Sequence, residues 1–125
     1  YGRCTMDRRA LARQNCGSQC DIIFLGDSIM ERMAGKDCCL AIDRRGRLAD
    51  NEVFRQTFAR HGRSLILAGR GDQTNHTLHL LDAVLPVLVA PKVFSLLIGT
   101  NNIASGQTPD LVLGDVEAII QKLRS

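Results

Sequence analysis

The chain has 125 residues, of which 45% are hydrophobic and 23% charged, and its formal net charge is +3 at pH 7. That length holds one domain, residues 1–125, large enough to bury roughly two-thirds of its unfolded surface without metal or disulfide staples. The mix excludes a disordered chain, no apolar run nears the ~20 residues of a membrane span, and the weak charge with no Trp and one Tyr argues against a nucleic-acid stacking platform.

In chain order, Met6 to Cys16 reads as a short basic helix stopped by Gly17. Asp21 to Leu25 is an apolar, β-branched run ending at Gly26, which predicts a strand buried on both faces. Ile29 to Ala34 starts a helix that Gly35 ends, and the charged, aperiodic Lys36 to Asp50 is expected to form a loop. Asn51 caps a helix carrying Val53, Phe54, Thr57 and Phe58 as far as Gly62. Leu65 to Ala68 predicts a second buried strand, ended by Gly69-Arg70-Gly71, and a helix follows from about Gln73 to Leu85. Val93 to Ile98 predicts a third strand, ended by Gly99-Thr100-Asn101-Asn102. Thr108 and Pro109 then supply an N-cap and a first-turn proline for a helix with Val112, Val116, Ile119 and Leu123 on one stripe.

Charge is uneven: residues 1–70 balance at +5 and residues 71–125 at −2. The basic Arg44, Arg45 and Arg47 read as a solvated surface. Five cysteines (Cys4, Cys16, Cys20, Cys38 and Cys39) lack zinc-finger spacing. Free thiols in a reducing compartment are the expected state, with one disulfide left open. No apolar leader segment is visible, and Asn75-His76-Thr77 is a formal glycosylation sequon that is expected to stay unoccupied.

Apolar strands alternating with helices predict an α/β fold with a parallel, doubly wound sheet in three layers. Ligands bind such sheets beyond the carboxyl ends of the strands. Three polar signals fall there. Gly26-Asp27-Ser28 places a hydroxyl between strand and helix, where backbone N–H groups favour developing negative charge. Gly69-Arg70-Gly71-Asp72 lets a backbone N–H approach a ligand closely. Gly99-Thr100-Asn101-Asn102 offers a side-chain amide to an oxyanion. Taken singly, each is equally an N-cap, a tight turn or an Asx-turn. Their joint position at three successive strand ends is what points to chemistry.

Those residues carry a resemblance. Ile23 to Ser28 resembles the first block of the GDSL/SGNH hydrolases, Gly71-Asp72-Gln73-Thr74 the glycine block, and Pro91 to Asn102 the asparagine block. Across residues 8–124 the chain is most similar to the brain-type platelet-activating-factor acetylhydrolase catalytic subunits. The resemblance implies a flavodoxin-like sheet and a serine hydrolase acting on small, acetyl-type esters. It implies that Ser28 is the nucleophile and that the oxyanion hole comprises the N–H groups of Ser28 and Gly71 with the Asn101 side chain. Asp27 and Thr100 would support the turns. No metal or cofactor is implied.

The chain departs from that pattern in three places. Arg70 stands where the family has small residues, Ser28 and Gly71 are 43 residues apart, and no Asp lies three residues before any His. The family's Asp-x-x-His base is thus absent, and the chain is expected to be the N-terminal portion of such a domain. His76 and His79 are expected not to act on Ser28. The uncharged third strand would lie at a sheet edge, which invites self-association. The alternatives are a non-catalytic, homodimer-forming module that keeps the fold, and a nucleotide-binding domain using Gly69-Arg70-Gly71; Thr74 stands where the dinucleotide fingerprint wants glycine.

Overall fold

The structure, a computed structural model, describes residues 20–33, 36–37, 40–41, 52–54, 56–58, 61–89 and 91–125. The fold is α/β, with helices on both faces of a three-stranded parallel sheet. Strands β1 (Ile22–Gly26), β4 (Ser64–Ala68) and β5 (Val93–Leu97) lie in the order β4-β1-β5. The first strand is therefore central, as in a doubly wound sheet. Strands β2 (Lys36–Asp37) and β3 (Leu40–Ala41) pair antiparallel as a separate hairpin. The expectation over Lys36–Asp50 is a loop or excursion; these short strands stand apart from the main sheet, and residues 42–50 lie outside the described residues. Three expectations lie outside the described residues: the Met6–Cys16 helix, the Asn51 cap and the Arg44–Arg47 run.

The β1 run became the centre because its side chains are apolar on both sides. Ile23 and Leu25 face one layer, and Phe24 the other. On the first face, α2 (Thr74–Val84) supplies Leu80, Leu81 and Val84, and α4 (Pro109–Arg124) supplies Ile119. Each of these fully buried aliphatic side chains contributes roughly 2 kcal/mol through area removed from water. On the second face, α1 (Ser28–Met33) brings Met30 over Phe24, Ile66 and Ala68. Residues 52–54 and 56–58 are helical, as their spacing predicts. Their Phe54 and Phe58 meet the Phe24 ring edge-on, with centroids 5.2 and 5.0 Å away. Such pairs add about 1 kcal/mol beyond area burial.

At the N-terminal end of the sheet, Asp21 joins all three strands. Its backbone N–H donates to Arg63 O, and its carbonyl accepts from Lys92 N and Val93 N. Its carboxylate accepts from Arg63 N at 2.9 Å and pairs with Lys92 Nζ at 3.4 Å. The Arg63 N–H, followed by the Lys92 ammonium, holds this carboxyl below its usual range. A side chain at Gly62 would collide with the Asp21 carboxylate, and φ is +120° there.

β5 pairs with β1 on one side and is an edge among the described strands, with Val93 and Leu97 exposed. Cys20 is buried and disulfide-bonded, which realises the disulfide alternative and removes Cys20 from the expected free thiols. The other four cysteines lie outside the described residues. No helix among the described residues is long and apolar enough to cross a membrane.

Candidate active site

Register sets the site. Gly26, Ala68 and Leu97 pair across the sheet at one level, so all three strands finish together. Ser28, Gly71 and Asn101 follow within a few residues of that level, each on the loop or first turn leaving its strand.

The loops are tied pairwise. Gly69 N donates to Gly26 O at 3.3 Å, joining the first loop to the second. Asn101 Nδ2 donates to Asp72 O at 2.9 Å, joining the second to the third. The strand ends beneath the first and third loops are packed closely: a Cβ on Gly26 would lie 2.5 Å from Leu97 O and 3.0 Å from Met30 Cβ. Only glycine fits that position.

Ser28 is half-buried and opens α1. Asp27, buried, turns its carboxylate into its own helix: Oδ1 accepts from Ile29 N at 2.9 Å, while its carbonyl accepts from Glu31 N. Its side chain satisfies the Ile29 N–H, which otherwise lacks a helical partner. Gly71 has φ +79°, a left-handed conformation that side chains resist, and the space where a Cβ would lie is open. The preceding Arg70 is exposed. Asn101 has two amide hydrogens, and only one is needed for Asp72 O. Thr100 is exposed at the start of α3 (Thr100–Ala104), a short helix that follows directly on the end of β5.

His76 is occupied locally. Its Nδ1 accepts from Gln73 N at 2.9 Å, which closes the first turn of α2. His79 lies exposed on the same helix. Among the described residues, no group of three or more His, Cys, Asp or Glu is placed to hold a metal ion.

Behind the loops lies a polar layer that sequence reading missed. Asn102 is fully buried; its Oδ1 accepts from Thr74 N at 3.0 Å, and its Nδ2 donates to Thr74 Oγ1 at 2.8 Å and to Gln107 Oε1 at 2.9 Å. Thr74 Oγ1 donates onward to Asp115 Oδ2 at 2.6 Å. The only sequence signal was the Asn-Asn doublet, since partners 28 and 41 residues away have no local signature. Asp72 is also fully buried, and burial pushes its carboxyl up to about 8. A buried carboxyl disfavours its charged form because it has lost water.

No family model matches the chain, and neither does any curated protein. A solved structure does: "a putative platelet activating factor from Streptococcus pneumonia" shares 27% sequence identity with a TM-score of 0.68. The match covers 98% of this chain and 47% of that one, so the chain spans about half the length of this structural relative.

Proposed function

We propose that the chain is the nucleophile-bearing portion of an SGNH-type serine hydrolase acting on small, acetyl-type esters. The observation carrying this reading is the convergence of the three strand-end loops, tied by Gly69 N to Gly26 O and by Asn101 Nδ2 to Asp72 O. The likeness to the streptococcal structure supports it along nearly the whole chain.

In this reading Ser28 Oγ attacks the ester carbonyl carbon and its hydroxyl proton passes to a base. The carbonyl π pair moves to oxygen, giving a tetrahedral oxyanion. The N–H groups of Ser28 and Gly71 and the second Asn101 amide hydrogen stabilise it. Each such donor is worth about 3 kcal/mol in comparable sites. Collapse expels the alcohol and leaves acyl-Ser28, which water hydrolyses. Asp27 keeps Ser28 at the helix start, and Thr100 supports the asparagine turn. The 125 residues contain no Asp-x-x-His, and His76 is committed to its helix cap. The base is thus the one part of the machinery with no residue assigned.

A fluorophosphonate probe tests the nucleophile. Ser28 is expected to be the labelled residue, and Ser28→Ala to abolish labelling. Labelling elsewhere with Ser28 untouched overturns the proposal. The second reading, a non-catalytic module that forms homodimers, is favoured by the exposed Val93 and Leu97 on β5, an edge among the described strands. It expects an unlabelled Ser28 together with a dimer in sedimentation equilibrium.

A further inference from the structure

We propose that Asn102 and Thr74 are positioning residues that hold the Gly71 loop and the Asn101 turn as one rigid unit. The catalytic consequence rests on the reading of Gly71 and Asn101 as oxyanion donors, whereas the mechanical coupling rests on the network alone. An oxyanion hole built from separate loops works only when its donors are fixed in advance, because reorganisation during the reaction forfeits their benefit.

Three consecutive residues after Gly71 are each gripped from the asparagine side. Asp72 O accepts from Asn101 Nδ2. Gln73 is held through its amide: Nε2 donates to Ser105 Oγ at 3.1 Å, and Oε1 accepts from Gln107 Nε2 at 3.3 Å. Thr74 is held by Asn102 at both its backbone N–H and its hydroxyl. The bonds run head to tail round a closed ring. Asn102 Nδ2 donates to Gln107, Gln107 to Gln73, Gln73 to Ser105, and Ser105 Oγ returns to Asn102 O at 3.0 Å. Bonds arranged this way polarise one another and resist piecemeal opening. Thr74 Oγ1 also reaches Asp115 on α4, so the long helix anchors the unit from behind. Asn102 uses every hydrogen-bonding atom of its amide, which leaves one permitted orientation. Its chain neighbour Asn101 is then aimed by the same turn.

The test uses Thr74→Val, which keeps shape and backbone while deleting the hydroxyl, and Thr74→Ser, which restores it. Amide hydrogen exchange is followed in residues 70–74 and 99–104, with Ile23–Leu25 and Leu65–Leu67 as internal references. Thr74→Val is expected to speed exchange in both loops together by about tenfold, as loss of one buried bond implies, with the strands unchanged. Thr74→Ser is expected to restore protection. A rise confined to residues 70–74, or none, overturns the coupling, as does failure of Thr74→Ser to restore it. In p-nitrophenyl acetate hydrolysis by the wild-type chain and its variants, Thr74→Val is expected to lower kcat about tenfold with KM nearly unchanged, as for a group acting only in the transition state. A raised KM at constant kcat overturns the positioning role. A wild-type chain whose Ser28 takes no probe sinks the hydrolase reading, while the exchange result still decides the coupling.

Discussion

At the N-terminal end of the sheet one half-buried carboxylate, Asp21, joins the strands by accepting from Arg63 N and pairing with the exposed Lys92. At the C-terminal end the loops are joined by neutral groups, the half-buried Asn101 and the fully buried Asn102 and Thr74, beside the buried Asp72 carboxyl. The first end resembles a surface clasp, cheap to desolvate and sensitive to salt. The second is a desolvated lattice in which each lost bond leaves a polar atom stranded. A sheet needs only the first kind of closure to stay together. The second costs more to build and holds its dipoles fixed, as the proposed oxyanion hole would need.

The largest effect is expected where a loop meets the edge strand. Gly26→Val forces a side chain onto Leu97 O and Met30 Cβ, and is expected to cost about 3 kcal/mol in urea unfolding, as overpacking does. An unchanged midpoint shows that the contact is slack and the C-terminal end no tighter than the other.

Next is pH. Asp72 has its folded-state carboxyl raised to about 8, so the folded state holds a proton that the unfolded chain releases near the ordinary 3.8. Its stabilising contribution is therefore complete below about 4 and is lost as pH rises toward 8. Asp72→Asn mimics the protonated form and is expected to gain about 1 kcal/mol relative to wild type between pH 6 and pH 7, followed by thermal melts. Parallel pH profiles rule out a buried acid at that position.

Asp21 has the opposite sign. Its carboxyl is lowered, so its contribution is present above the ordinary carboxylate range and disappears as pH falls through its folded value. Asp21→Asn is expected to lower the melting temperature modestly at pH 7 and not at pH 2, with the difference shrinking in high salt. A salt-insensitive loss equal at both pH values removes the contrast between the two ends. The smallest effect is expected at Lys122, which pairs with Asp82 between α4 and α2 on the solvent side. Lys122→Ala is expected to cost under about 0.5 kcal/mol by denaturant melts.

Much of the fold was legible because its signals are local. The Ile22–Leu25 run is apolar on both sides and became the central strand, and Thr108 accepts from Leu111 N as a cap before Pro109. The order β4-β1-β5, with the first strand in the middle, is the one that the resemblance to a flavodoxin-like sheet implies. What escaped has no local signal. Helix α3 is five residues long, too short for periodicity to register, and its Gly99 cap lies beside α4, with Val112 3.3 Å from where a Gly99 Cβ would be. The hairpin of β2 and β3 is only two residues deep, too short for alternation to register. At the site, the strand ends were visible as Gly-rich breaks. The Asn102 lattice was not, since nothing in Gln73, Thr74 or Gln107 announces a partner until the chain has folded.

The missing side chain of Gly26 has a mechanical meaning. With Leu97 O occupying its place, the turn that presents Ser28 leans on the very end of the outermost strand. The path of the chain into α1 is thus fitted to the end of β5 through a glycine that has no side chain to spare.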